Sequence, residues 1–324
     1  MYTKEELLTA FEGYMRSIAF PSEPDALYEP IRYALDNGGK RLRPLLLLMA
    51  CNVFEEDVTS AMPGAAAVEV FHNFTLLHDD IMDNSSVRRG KPTVHRKWGE
   101  NSAILSGDAM MIYAYKLLEG LPAEVLPKVF RIFNDTSLKV CEGQQYDMDF
   151  ESLEQVSMDE YIKMISLKTA VLLAGALAIG AVMGGASDKD TASLYTFGME
   201  LGLAFQIQDD LLDCYGTQEA FGKPVGGDIL EGKKTYLITS AMEKADQTTR
   251  LRLGGLMHNR EMLDGEKVSR VLAIYDELGV RALAEESVKL HTDRAVAALE
   301  GLSVTSERTD CLKTLAISLT GRSR

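Results

Sequence analysis

The chain has 324 residues, 46% hydrophobic and 25% charged, which is enough to bury a large core. A formal net charge of −14 argues against nucleic-acid binding, which draws on extended basic surface. The four cysteines, Cys51, Cys141, Cys214 and Cys311, lie far apart without C-x-x-C spacing and read as free thiols of a reducing compartment, not a disulfide framework.

The N-terminal Met1-Tyr2-Thr3-Lys4-Glu5-Glu6-Leu7-Leu8 reads as an amphipathic helix and not as a signal peptide. Apolar segments with a period near 3.6 then recur over about 42–53, 64–83, 101–118, 123–149, 159–184 and 188–214, longer than buried strands run. Gly38-Gly39 interrupts the chain ahead of Lys40-Arg41-Leu42-Arg43-Pro44, and Pro44 and Pro63 stand near helix starts, where a missing N–H is tolerated. Asn84 through Pro92 reads as a polar loop and Gly216 through Gly227 as a longer one. Ala170 to Gly185 is the most apolar stretch; it is short and rich in Gly and Ala, and reads as a buried core helix without a membrane span. Past about residue 245 the helices read as shorter and more charged, suited to an outer layer. Proline is scarce and no Ser- or Pro-rich linker divides the chain. The expectation is an all-α fold forming one domain over 1–324, soluble and cytoplasmic.

Two acidic strings share one shape, Asp79-Asp80-Ile81-Met82-Asp83 and Asp209-Asp210-Leu211-Leu212-Asp213, each at the end of an apolar helical run. On a helix their offsets fall at roughly 0°, 100° and 40°, so the carboxylates of each string share a face and repel one another unless cations lie between them. Carboxylates are also unfavourable at a helix C-terminus. Mg²⁺ takes oxygen ligands and habitually combines one or two carboxylates with substrate phosphates. Asp79, Asp83 and Asp209 are the favoured direct ligands; Asp80, Asp210 and Asp213 ligate, bind through water or hold geometry.

Basic groups bracket these strings: Lys40, Arg41 and Arg43 after the glycine pair; Arg88, Arg89 and Lys91 after the first string; Lys233 and Lys234 after the second. In so acidic a chain they read as diphosphate ligands. Glu69-Val70-Phe71-His72 matches the E-x-x-H spacing of di-iron bundles, but no other histidine has a glutamate three residues before it. There is no G-x-S-x-G, P-loop or dinucleotide fingerprint.

These residues, together with Gly107-Asp108, Glu142-Gly143-Gln144, Lys168-Thr169, Phe205-Gln206-Ile207-Gln208 and Gly232-Lys233-Lys234-Thr235, make the chain resemble the trans-type polyprenyl diphosphate synthases over about 30–240. The resemblance implies a single large helical bundle of the isoprenoid synthase type with a central substrate cavity, and a homodimer. It implies three Mg²⁺ holding an allylic diphosphate between the two acidic strings, with Arg88, Lys168, Lys223 and Lys233 on that diphosphate. Lys40, Arg43, His72 and Arg89 are implied to hold isopentenyl diphosphate, and Gln206 with the Lys168–Thr169 backbone to stabilise the allylic cation. The loops at 84–98 and 216–232 are expected to close, with Gly226-Gly227 as a hinge.

In this family an aromatic five residues before the first aspartate acts as a tunnel floor. Phe74, with Thr75 beside it and Phe71 one turn further, therefore points to a product of fifteen to twenty carbons. The rival readings are a class I terpene cyclase, a non-catalytic subunit of a heteromeric synthase, and a divalent-cation-binding helical protein.

Overall fold

The computed structural model describes residues 1–216, 225–259 and 261–321. They divide into two compact units: Met1–Asn134 with Gly175–Ala192 and Ser303–Leu312, and Asp135–Ala174 with Ser193–Leu302 and the final segment from Lys313.

The first unit opens with α1 (Lys4–Ser17), whose start is fixed by a reciprocal cap: the Thr3 hydroxyl accepts from the Glu6 N–H at 3.2 Å, and the Glu6 carboxylate accepts from the Thr3 N–H at 2.8 Å. Next come α2 (Asp25–Asp36) and α3 (Leu42–Phe54). Helix α3 has no polar face: Pro44 through Val53 are all buried, which makes it a central helix. Helix α4 (Met62–Met82) carries Pro63 in its first turn and a buried small-residue run, Gly64 to Ala67. It packs most extensively on α6 (Glu100–Leu118), which follows the short α5 (Val94–Trp98).

Next come α7 (Leu126–Glu151), α9 (Val171–Met183) and α10 (Asp188–Tyr215), each with residues in both units, and the short α8 (Met158–Ile165) of the second unit. In the first unit, Gly180 of α9 and Gly184 just past its end meet the backbone of Leu47 and Cys51 on α3; a Cβ at Gly184 would sit 2.6 Å from the Cys51 carbonyl oxygen. Helices α8 and α9 are joined by a π-turn, Ser166–Ala170, in which the Val171 N–H reaches back to the Ser166 carbonyl. By length and composition Met158–Met183 could cross a membrane, but 78% of its most apolar window is buried, as in a core helix.

The second unit adds α11 (Gly227–Glu231), α12 (Tyr236–Lys244), α13 (Gln247–His258), α14 (Asp264–Leu278) and α15 (Val280–Glu300); α16 (Ser306–Thr320) is the last helix among the described residues. The expectation of short outer helices past 245 needs correction. Helix α15 is 21 residues long, and Leu253, Val271, Tyr275 and Val280 join Tyr161, Ile207 and Leu237 in one buried core. Their apolar residues are spaced among charges, so composition alone makes these helices look peripheral.

Among the described residues the all-α expectation holds apart from one hairpin, β1 (Val87–Arg88) and β2 (Lys91–Pro92), antiparallel with Val87 opposite Pro92 and Arg88 opposite Lys91. Its two-residue turn has positive φ at both Arg89 (51°) and Gly90 (75°), which matches the right-handed twist of paired strands.

Candidate active site

The predicted residues fall into two sets, one in each unit. The first set gathers around the α2–α3 elbow and the end of α4. Gly38, Gly39 and Arg41 all have positive φ, and Arg41 is anchored there: it pairs with the buried Glu69 at 2.5 Å and donates to the Leu35 carbonyl at 2.7 Å. That anchoring sets the flanking Lys40 and Arg43. It also gives Glu69 a structural partner, so the E-x-x-H pair is not a di-iron half-site. Arg43 donates to His72 Nε2 at 2.9 Å, which requires the proton of a neutral imidazole to sit on Nδ1. Burial, and then the charges of Arg43, Arg89, Arg88 and Arg41, hold the His72 pKa well below its usual range. Arg89 donates to the Gly38 carbonyl with its guanidinium against Gly39, whose φ of 132° would strain any other residue.

Consecutive arginines therefore serve different places. Arg88, still in the strand, turns to the first acidic string: its Nε donates to Asp80 at 2.7 Å and its NH2 lies 3.4 Å from Asp79. The three carboxylates of this string differ in environment. Asp80 is buried, Asp79 half-buried and Asp83 exposed at the helix cap. Burial raises the Asp80 pKa, with Arg88 opposing. The segment 84–98, expected as a closing loop, is braced internally by Thr93 on the Ser85 and Ser86 carbonyls and Arg96 on Asn84, and meets α2 where the Tyr33 hydroxyl donates to the Pro92 carbonyl.

Below the first string, Phe74 and Phe71 are buried with ring centroids 5.5 Å apart, and Phe71 stacks edge-on against Phe133 at 5.5 Å. Phe74 also meets the His78 ring at 4.8 Å, and the Thr75 hydroxyl is bound to the His72 carbonyl. A side chain at Gly107 would collide with His78, which accounts for that glycine.

In the second unit the same partition recurs. Asp209 is half-buried, while Asp210 and Asp213 are 4% exposed and already occupied. Asp210 accepts from the Tyr161 hydroxyl at 2.5 Å, the Tyr236 N–H at 2.8 Å and Gln206 Nε2 at 3.0 Å. Burial raises its pKa to about 6 against those bonds. Asp213 accepts from the Asp228 N–H at 3.0 Å. Asp228 itself is pushed up to about 7 by burial and by the nearby Asp213 and Asp210 charges. At Gly226, expected as a hinge, the N–H binds the Asp213 carbonyl at 2.7 Å and the left-handed backbone packs on Val268. Lys233 pairs with Glu231 at 2.8 Å. Lys223 lies outside the described residues.

Lys168 and Thr169 sit in the π-turn, gripped on both sides. Gly143 of α7 abuts the Leu167–Lys168 backbone, and a Cβ at Gly202 of α10 would meet Ala170 Cβ at 2.6 Å. Lys168 Nζ is 2.5 Å from Asp147, and the Thr169 hydroxyl donates to Gln206 Oε1 at 2.9 Å. Sequence reading missed Asp147 and Tyr161, whose partners lie 21 and 49 residues away. A separate cavity of about 470 Å³, lined by Leu211, Leu212, Tyr215, Val288 and Ile317, holds none of the predicted site residues.

Among the described residues, no three His, Cys, Asp or Glu side chains converge into a closed metal cage. The donor set fits Mg²⁺ nonetheless: carboxylates that are not fully buried, at helix ends, suit an ion that takes one or two protein oxygens and completes its shell with phosphate and water.

A family model described as Polyprenyl synthetase matches residues 24–277. The geranylgeranyl diphosphate synthase of Methanosarcina mazei is 46% identical over 226 residues, covering 69% of each chain. The short chain isoprenyl diphosphate synthase of Methanothermobacter thermautotrophicus is 38% identical over 295 residues, covering 91% of this chain and 89% of that one. A crystal structure of a geranylgeranyl pyrophosphate synthase superposes with a TM-score of 0.95 at 44% identity, covering 100% of both chains. With the family match running from α2 to α14 and through every predicted site residue, this chain belongs to the polyprenyl synthetase family.

Proposed function

We propose that the chain is a short-chain prenyltransferase that condenses isopentenyl diphosphate with an allylic diphosphate, releasing diphosphate and an all-trans product five carbons longer. The observation that carries the reading is the division of labour between Arg88 and Arg89. Arg89 joins Lys40, Arg43 and His72 around the glycine elbow as an anion site built from cations, whereas Arg88 turns to the carboxylates. Two diphosphates need such differently built sites. The family match spans residues of both units and supports treating 1–324 as one catalytic domain.

In this reading Asp79, Asp83 and Asp209 would hold Mg²⁺, three ions per site, on the allylic diphosphate. Magnesium would supply Lewis-acid neutralisation of the leaving group. Arg88, Lys168, Lys223 and Lys233 would add positive charge to the same group. Asp80, Asp210 and Asp213 would hold geometry, being the buried members of the two strings. Oxygen dipoles of Thr169 and Gln206 would face the cation formed as the C–O bond ionises. The isopentenyl double bond then attacks that cation, and proton loss completes the exchange. Neutral His72 would accept from Arg43 and orient its guanidinium on isopentenyl diphosphate.

The product expected is the twenty-carbon diphosphate, in keeping with the names of the similar synthases. Incubation of the purified chain with isopentenyl diphosphate and each allylic primer in turn, followed by chromatography, tests this; no incorporation would leave a cyclase or a non-catalytic subunit. Phe74→Ala should shift the main product longer by at least one isoprene unit, because Phe74 and Phe71 form a buried aromatic wall. An unchanged product spectrum would remove Phe74 as the floor.

A homodimer and a cytoplasmic location complete the proposal. Helix α6 exposes Ile104, Leu105 and Ile112, and Tyr115 of α6 meets the exposed Phe130 of α7 at 5.7 Å, so an apolar strip faces outward. Ile112→Glu is expected to convert the dimer to monomer in sedimentation equilibrium.

A further inference from the structure

We propose that Tyr161 is a positioning residue for the ionised allylic group, acting through Asp210 and Gln206 on Thr169; this rests on the prenyl transfer proposed above. The four side chains form a hydrogen-bond series with one possible direction. Tyr161 is 1% exposed and donates its hydroxyl proton to Asp210 Oδ2 at 2.5 Å. The Tyr236 N–H gives the same oxygen a second donor at 2.8 Å. A carboxylate only accepts, so Gln206 must turn its NH₂ toward Asp210 Oδ1, at 3.0 Å. The Gln206 carbonyl must then face the other way, where it accepts the Thr169 hydroxyl at 2.9 Å.

The polarity has a chemical consequence. Thr169 has committed its proton to Gln206, so its remaining lone pairs are what it can offer a ligand. Gln206 likewise keeps its N–H groups turned toward Asp210. The pair therefore offers oxygen, not hydrogen, to a developing positive charge, and does so before the reaction starts. An amide free to flip would present N–H half of the time. Asp210 is what prevents the flip, and Tyr161 is one of the two donors that fix the Asp210 Oδ2 atom.

A purely structural account does not explain this choice of groups. A buried tyrosine hydroxyl needs a partner, but a backbone carbonyl would serve. Replacing a buried acid and its hydroxyl partner with apolar side chains of similar shape is often neutral or stabilising. Here the hydroxyl comes from α8 and is aimed at the second aspartate of the acidic string on α10. The same series ends on the π-turn that α7 and α10 grip through Gly143 and Gly202.

The experiment is a double-mutant cycle on the full chain, with Tyr161→Phe, Gln206→Leu and the pair, read by steady-state kinetics and thermal unfolding. Tyr161→Phe is expected to lower kcat about tenfold, as for one lost bond to a charged group, without changing the KM for isopentenyl diphosphate. In the Gln206→Leu background it should have no further effect on kcat. If Tyr161→Phe does not fold, Asp210→Asn takes its place in the cycle: its amide can donate to Gln206 and lets that side chain flip. A folded variant with wild-type kcat, or a loss that multiplies fully with that of Gln206→Leu, overturns the inference while leaving prenyl transfer intact. A wild-type chain that elongates no primer overturns both.

Discussion

Asp79→Asn is expected to lower turnover about a thousandfold, the scale of losing one group that stabilises transition-state charge, while leaving the fold in place. The substitution keeps the shape of the side chain and removes its charge. Asp79 is only half-buried, and its contact with Arg88 is the long one, 3.4 Å against 2.7 Å from Arg88 to Asp80. Arg88 thus keeps its principal partner in the variant. The KM for isopentenyl diphosphate should hold, because Lys40, Arg43, His72 and Arg89 are untouched. The Mg²⁺ concentration for half-maximal rate should rise. Asp80→Asn should behave in the opposite way, with a clear loss of thermal stability, because Asp80 is the buried member of the Arg88 pair. Steady-state kinetics across a Mg²⁺ series, with calorimetry on both variants, checks the contrast; wild-type turnover in Asp79→Asn would remove it as a ligand.

Gly143→Ala should damage both fold and chemistry. A Cβ there would overlap the Lys168 backbone nitrogen and lie 2.6 Å from the carbonyl carbon of Leu167, so no flexible side-chain tip can give way. The π-turn itself must move. Overpacking of this kind costs about 1–3 kcal/mol. Lys168 and Thr169 ride on that turn, and a displacement on the order of 1 Å at reacting groups is worth about a hundredfold in rate. The expected result is a lowered melting temperature together with a kcat loss that saturating substrate does not restore. A variant with unchanged kcat would show that the turn keeps its position without the close approach.

The long helices were legible because their apolar period is sustained: the segment read as 64–83 is Met62–Met82, and that read as 188–214 is Asp188–Tyr215. The hairpin was not, since strands of two residues are too short to alternate. The π-turn was hidden for the opposite reason. The run over 159–184 is so apolar that one extra residue per turn leaves no trace in its pattern. Within the site, residue types announced the chemistry but not the partition among the aspartates. Helical offsets place all three of a string on one face, while Arg88 and Tyr161 draw Asp80 and Asp210 inward. Tyr161 and Asp147 carried no local signal because their meaning lies in partners supplied by other helices. Gly107 and Gly143, present in the resemblance without a reason, acquire one from His78 and Lys168.

The guanidinium of Arg88 resting on Asp79 and Asp80 has a consequence for discrimination. A counter-ion tethered to the chain acts at high effective concentration, so a bare divalent cation must compete with it for the first acidic string. An ion arriving with a diphosphate faces no such contest, because the phosphate oxygens offer Arg88 a new partner as the carboxylates change theirs. On the roles proposed above, the string works as a coincidence detector: it answers to cation and diphosphate together and stays silent to the cation alone.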